Sequence, residues 1–87
     1  AQNYIGETFY RQRDYRQAAA EFQKTADTYT QAAQVSEALL KIGLCRRALG
    51  DAAGARSAWE QVIKQFPKGD AARQARALLA SRTGGGR

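Results

Sequence analysis

The strongest constraint on the fold is an internal repeat. When the sequence is shifted by 37 positions, it aligns with itself, and Ile5 then matches Ile42. The other matching positions are Gly6 with Gly43, Asp14 with Asp51, Ala18 with Ala55, Phe22 with Trp59, and Thr30 with Pro67. A third, shorter copy places Ala75 under Ala38 and Leu79 under Ile42. A unit of this size cannot bury its apolar face alone, so such units stack on their neighbours. The 87 residues therefore predict a short array of similar units.

Each copy has the apolar spacing of two helices. The predicted fold class is all-α, an α-solenoid of antiparallel helix pairs with about two and a half repeats and five helices. Repeat one covers about residues 1–30, repeat two about 31–67, and a capping helix about 70–82, while residues 83–87 form a flexible tail. The first predicted helix spans residues 4–13, and the second starts after Asp14. The third spans about residues 32–49 and the fourth about residues 52–65. The capping helix is the fifth.

Local signals set the ends of these helices. Asp14 and Asp51 are good N-caps, and Gln17 completes a pattern similar to a capping box after Asp14. Gly50 is placed to end the third helix in a left-handed conformation, and Pro67 cannot continue the fourth helix. Each copy therefore reads as helix, tight turn, helix.

Small and aromatic residues occupy equivalent positions in the two copies. Gly6 and Gly43 lack bulk where the two helices of a pair would cross closely, as Ala18 and Ala55 also do. Phe22 and Trp59 are expected to fill the groove between helix pairs. These positions are interpreted as packing residues only.

The same residues resemble the tetratricopeptide repeat, whose pattern is W-x2-L-G-x2-Y … A-x3-F … P. The matching strings are Ile5-Gly6-x2-Phe9 with Ala18-x3-Phe22, and Ile42-Gly43 with Ala55-x3-Trp59 and Pro67. The departures are Gln2 and Leu39 at the Trp position, Arg46 at the Tyr position and Thr30 for the first Pro. The offset is longer than the usual period of about 34, and the extra residues are placed in the connection between repeats and at the start of the third helix.

A narrower resemblance is to the C-terminal domain of the Tol-Pal system YbgF (CpoB) family. It is carried by residues 3–18, by Ala-Leu-Leu-Lys-Ile-Gly at residues 38–43, by Leu-Gly-Asp at residues 49–51, and by residues 66–79. The resemblance implies a periplasmic protein that binds TolA and coordinates outer-membrane constriction with septal peptidoglycan synthesis in cell division. It also implies one further repeat and an upstream coiled coil through which the full-length protein would oligomerise. A BamD-like outer-membrane assembly lipoprotein is the alternative within the same superfamily.

The first helix of each pair lines the inner face of such a superhelix. The residues expected to face a partner are Asn3, Glu7, Tyr10, Arg11, Glu37, Leu40, Lys41, Leu44, Arg47, Gln74 and Ser81, with Ala77 and Leu78 beside them. Tyr10, Leu40 and Leu44 would form an apolar strip bordered by both signs of charge, which suits a protein partner or peptide. The alternative is that Leu40 and Leu44 only bury against the last helix.

The net charge of +6 is concentrated at one end, since residues 64–87 carry six Lys/Arg and one Asp. Arg73 and Arg76 share a face of the last helix. They could bind an acidic segment or a phosphate, or they could serve only to keep the exposed face of the capping helix soluble. A basic, nucleic-acid-binding helical repeat is therefore an alternative function, although the basic residues lack interleaved aromatic residues.

Catalysis is not expected. The chain has no histidine, and Cys45 is its single cysteine, so the commonest general base and the commonest metal ligand are absent. Ser36, Ser57 and Ser81 have no candidate base, and Cys45 is interpreted as a buried small apolar residue. We expect no cofactor, no metal, no membrane span and no bound nucleic acid.

Overall fold

The computed structural model describes residues 4–85, with side chains for residues 5–80. Within that range the chain is all-α, and its helices pack in sequence order as antiparallel pairs. The helices are α1 (Tyr4–Arg11), α2 (Tyr15–Thr28), α3 (Ala32–Ala48), α4 (Ala52–Gln65) and α5 (Asp70–Gly85). The fold class predicted from the repeat is confirmed. Helix α5 extends to Gly85, three residues beyond the predicted boundary at residue 82.

Helix α1 ends two residues earlier than predicted, because Arg13 adopts a left-handed conformation with φ of 65°. The amide of Arg13 donates to the carbonyl of Tyr10 at 3.0 Å, and the amide of Asp14 donates to the carbonyl of Phe9 at 2.9 Å. These two bonds form a Schellman motif, which satisfies carbonyls that the helix end leaves free. In the first repeat, Arg13 therefore occupies the left-handed position after the helix end that glycine usually occupies.

Helix α3 ends in the same motif, with Gly50 at the equivalent position and φ of 88°. The amide of Gly50 donates to the carbonyl of Arg47 at 3.0 Å, and that of Asp51 to the carbonyl of Arg46 at 2.8 Å. Glycine adopts this conformation without steric cost. The turn within each helix pair thus has the same geometry in both repeats, although its left-handed residue is Arg13 in the first and Gly50 in the second.

The two predicted aspartate N-caps are confirmed. A side-chain oxygen of Asp14 accepts from the amide of Gln17 at 3.4 Å, and that of Asp51 accepts from the amide of Gly54 at 2.9 Å. The capping box expected with Gln17 is wrong in one of its two hydrogen bonds, the one from the amide of Asp14 to the Gln17 side chain. The amide of Asp14 is already bonded to the end of α1, so the Gln17 side chain has no capping role there.

An aromatic ring of the second helix lies on a glycine of the first helix in both repeats. A Cβ atom added to Gly6 would lie 2.7 Å from the ring of Phe22, and one added to Gly43 would lie 2.2 Å from Nε1 of Trp59. Both rings are fully buried. The indole of Trp59 also donates to the carbonyl of Leu40 at 3.1 Å. The predicted close crossings at Gly6 and Gly43 are confirmed. The two rings, which were expected between helix pairs, each lie against the first helix of their own pair.

The buried core runs along α2, α3, α4 and the first half of α5. Ile42 is 1% exposed, whereas Ile5 at the equivalent position of α1 is 55% exposed. Ile5 is therefore outside the core, although it matches Ile42 in the repeat. Helix α3 packs against α2, α4 and α5, while α1 has α2 as its main neighbour among the described helices. Ile5 therefore lacks the covering helix that Ile42 has.

Candidate functional site

A groove runs across the face formed by the first helices of the repeats, α1, α3 and α5. It consists of two adjoining cavities that share Lys41 and Leu44 of α3. The larger cavity, of about 760 Å³, lies between α3 and the segment that joins α4 to α5. The smaller one, of about 240 Å³, lies between α1 and α3. We call the two together the groove.

The larger cavity has an apolar floor and a polar rim. Its floor is formed by Leu40, Leu44, Phe66 and Ala71. Its rim carries Glu37, Lys41, Lys68, Asp70 and Gln74. The hydroxyl of Ser36, which also lines this cavity, donates to the carbonyl of Ala33 at 3.2 Å. A groove with this pattern can receive apolar side chains while polar groups at its edge fix their orientation.

The smaller cavity is built around an aromatic corner. Tyr10 and Tyr15 make an edge-to-face contact with ring centroids 5.3 Å apart. Tyr10 and Arg11 of α1 then face Leu44 of α3 across the cavity, and Phe22 closes its base. Tyrosine and arginine are among the residue types that most often contribute strongly to protein–protein binding.

Lys41 is the central charge of the groove, and two carboxylates hold it. Its ammonium forms an ion pair with Glu7 of α1 and another with Glu37 at 3.5 Å. The same ammonium lies 5.7 Å from the ring centroid of Phe22. The hydrogen bond from Lys41 holds the pKa of Glu7 below its ordinary value. The Glu7–Lys41 pair therefore links α1 to α3 across the smaller cavity.

The charges that line the groove balance one another. The carboxylates are those of Glu7, Glu37 and Asp70. The cations are those of Arg11, Lys41 and Lys68. The groove is therefore close to neutral on a chain whose net charge is +6. Its chemistry favours a ligand that is bound by apolar contacts and local hydrogen bonds over one that is bound by its total charge.

The structure brings most of the residues that the sequence singled out into this groove. Those lining it are Glu7, Tyr10, Arg11, Glu37, Leu40, Lys41, Leu44 and Gln74. Arg47 does not line it, because its guanidinium lies 5.6 Å from the ring centroid of Trp59. Asn3 lies outside the described residues. Ser81 belongs to α5, but its side chain is not among those described.

The expected apolar strip is narrower than predicted. Leu40 is only 5% exposed, so it forms the floor of the groove and offers little contact area. Leu44 is partly buried and remains accessible from both cavities. Ala77 and Leu78 line neither cavity, and Leu78 packs against the core. The accessible apolar contacts are therefore mainly those of Tyr10 and Leu44, together with one wall of the larger cavity.

This wall of the larger cavity was not expected from the sequence. It is formed by the segment from Phe66 to Asp70 and by Ala32 and Ala33 in the first turn of α3. Pro67 signals that a helix ends there, but it does not reveal that the segment then lies against α3. The position of this wall depends on how closely α3 and α5 approach, which no local pattern encodes.

Cys45 is fully buried, and burial raises the pKa of its thiol to about 11. The thiol is therefore protonated at physiological pH, which lowers its reactivity as a nucleophile. Among the described residues, no group of three potential metal ligands converges, and no helix is long and apolar enough to cross a bilayer.

These features define a helical-repeat protein with a groove on the face of its first helices. The sequence model of the tetratricopeptide repeat matches residues 2–32 and 37–69, which together are well over half of the chain. The chain belongs to the tetratricopeptide repeat family. Repeats of this family are typically non-catalytic and bind other proteins. No curated protein matches the chain.

Proposed function

We propose that the chain is a non-catalytic scaffold whose groove binds a peptide segment of a protein partner. The observation that carries this proposal is that two cavities adjoin on one face of the array. The cavity beside Tyr10 and the cavity beside Phe66 share Lys41 and Leu44. A segment in helical or extended form can place successive apolar side chains in two such cavities.

The charge balance of the groove favours a peptide over a nucleic acid. A nucleic-acid site gains its affinity from unpaired Lys and Arg side chains that neutralise phosphates. Here the most central cation, Lys41, is already held by Glu7 and Glu37. Phosphates placed in this groove would also face the carboxylate of Asp70.

For the finer assignment we propose a periplasmic scaffold of the Tol-Pal type that binds TolA and serves cell division. The support is the resemblance of the string at residues 38–43 and of residues 3–18 to the YbgF (CpoB) family. Leu40, Lys41 and Leu44, which belong to or adjoin the first of these strings, line the groove. A BamD-like envelope scaffold is the alternative within the same family of repeats.

The test is an isothermal titration of the domain with the periplasmic part of TolA at physiological salt. Leu44→Ala should weaken binding by about fivefold or more, because a central apolar contact in a binding groove often contributes more than about 1 kcal/mol. Leu49→Ala is the matched control, since Leu49 is 46% exposed and lines neither cavity. Tyr10→Ala and Arg11→Ala should weaken binding at the other end of the groove.

The outcomes separate the two levels of the proposal. Binding that Leu44→Ala weakens and Leu49→Ala does not would support both the groove and the Tol-Pal assignment. Binding that both variants leave unchanged would place the interaction outside the groove. If the folded domain does not bind TolA, the Tol-Pal assignment fails, and the groove must then be tested with other envelope proteins.

A further inference from the structure

A second surface lies at the C-terminal end of the array and adjoins the groove, because Lys68 belongs to both. It consists of Lys68, Arg73 and Arg76, which we call the basic end patch. Arg73 and Arg76 are exposed and lie three residues apart on α5, so they share one face of that helix. Lys68 lies in the segment that leads into α5 and is also exposed.

One contact fixes the geometry of this patch. The guanidinium of Arg76 donates to the carbonyl of Pro67 at 3.0 Å. This bond holds the Arg76 side chain against the segment that carries Lys68. Because only one of the several N–H groups of the guanidinium is used, the others remain able to donate to a ligand. The three cations therefore form one surface.

The charge of this patch is not neutralised within the described part of the chain. None of its three cations forms an ion pair with a described carboxylate, although Lys24 and Lys41 both do so. Asp70 lies one helical turn before Arg73 but is not within ion-pair distance of any described cation. The patch therefore keeps a surplus of positive charge.

We propose that the basic end patch binds an acidic segment of a protein, rich in Glu and Asp, independently of the groove. Arginine donates to carboxylates in a planar, two-pronged geometry, and such charge-assisted bonds are the stronger kind of hydrogen bond. This surface recognises its partner by the partner's negative charge. Its affinity therefore falls as the salt concentration rises.

Two other anionic partners fit the surroundings of the patch less well. An amphipathic helix binds a lipid surface with its apolar face, but Ala71, Ala72 and Ala75 bury that face of α5 in the core. Single-stranded nucleic acids stack their bases on exposed aromatic rings. The aromatic residue nearest in sequence is Phe66, which packs against the core and lines the groove.

The test measures binding of a short fluorescent peptide of alternating Glu and Ser by anisotropy, with a Gln and Ser peptide as the neutral control. The double variant Arg73→Gln/Arg76→Gln should weaken binding of the acidic peptide by about tenfold or more. The matched control is Arg16→Gln/Arg56→Gln, which removes the same charge from exposed positions on α2 and α4. This control should change the affinity by less than about twofold. Circular dichroism of each variant verifies that it is folded.

Parallel titrations with oligo-dT and with vesicles containing phosphatidylglycerol decide among the anionic partners. Tighter binding to either of these than to the acidic peptide would overturn the proposal. An equal loss of affinity in the two double variants would also overturn it, since only the total charge would then matter. So would the absence of saturable peptide binding. Leu44→Ala should leave the acidic peptide bound, which separates this surface from the groove.

Discussion

Replacing Gly43 by alanine tests the contact between an aromatic ring and a glycine that both repeats share. Helix propensity alone predicts that Gly43→Ala stabilises α3 by about 1 kcal/mol, because glycine is a poor helix former. The packing predicts the opposite sign. The added Cβ would lie 2.2 Å from Nε1, 2.6 Å from Cδ1 and 2.7 Å from Cε2 of Trp59, and the indole is fully buried.

The size of the effect follows from what the indole must give up. Overpacking of a core typically costs about 1–3 kcal/mol. A displaced indole would also lose its hydrogen bond to the carbonyl of Leu40, which is worth about 1 kcal/mol. After the gain in helix propensity is subtracted, the free energy of unfolding should fall by about 2 kcal/mol. In a domain of this size that lowers Tm by roughly 10 °C.

Thermal and urea unfolding followed by far-UV circular dichroism would measure this change. The second variant, Gly43→Ala/Trp59→Phe, provides the internal check. If the clash with the indole causes the loss, the smaller ring should recover part of the cost of Gly43→Ala, and the two substitutions should be strongly coupled. A rise in Tm for Gly43→Ala, or simple additivity of the two substitutions, would show that the ring is not held against the glycine.

Three further substitutions or reactions test other features of the structure. Arg13→Gly should raise the free energy of unfolding by about 0.5–1 kcal/mol, because it removes a left-handed arginine; an unchanged or lower Tm would contradict the φ of 65°. Cys45 should not react with a disulfide reagent at about pH 8 until denaturant unfolds the chain, since its thiol is buried with a pKa of about 11. Glu7→Gln should lose less stability than the wild type as pH falls below 4.5, because the stabilisation from a lowered folded-state pKa is complete above the unfolded value and is lost as pH falls through the folded value. Identical acid-unfolding curves for the variant and the wild type would show that the Lys41 ion pair contributes nothing.

The helices and most of their ends could be predicted from the sequence because their causes are local. Asp51 as an N-cap, Gly50 as a left-handed terminator and Pro67 as a helix breaker each act within a few residues. The end of α1 could not be predicted in the same way. Arg13 has no intrinsic preference for positive φ, and it adopts that conformation because the tight turn to α2 requires it. The repeat itself held the clue, since Arg13 aligns with Gly50.

The composition of the groove could be predicted better than its depth. The first helix of each repeat faces the same side, so the spacing of Tyr10, Lys41 and Leu44 identifies residues that meet there. How far each side chain is exposed depends on the distance between neighbouring helices. Leu40 and Leu44 lie one turn apart on α3, yet Leu40 is buried and Leu44 is only partly buried. The sequence left these alternatives open, and tertiary packing separates them.

The departure of this chain from the usual repeat length lies in the wall of the groove. Residues 33–36 fall between the two segments that match the family, and they form part of the first turns of α3. Ala33 and Ser36 line the larger cavity, and the Ser36 hydroxyl is satisfied by the carbonyl of Ala33. These residues therefore add surface to the groove without adding an unpaired polar group. These residues lie outside the two segments that match the family, so the wall of the larger cavity extends beyond what the repeat pattern itself supplies.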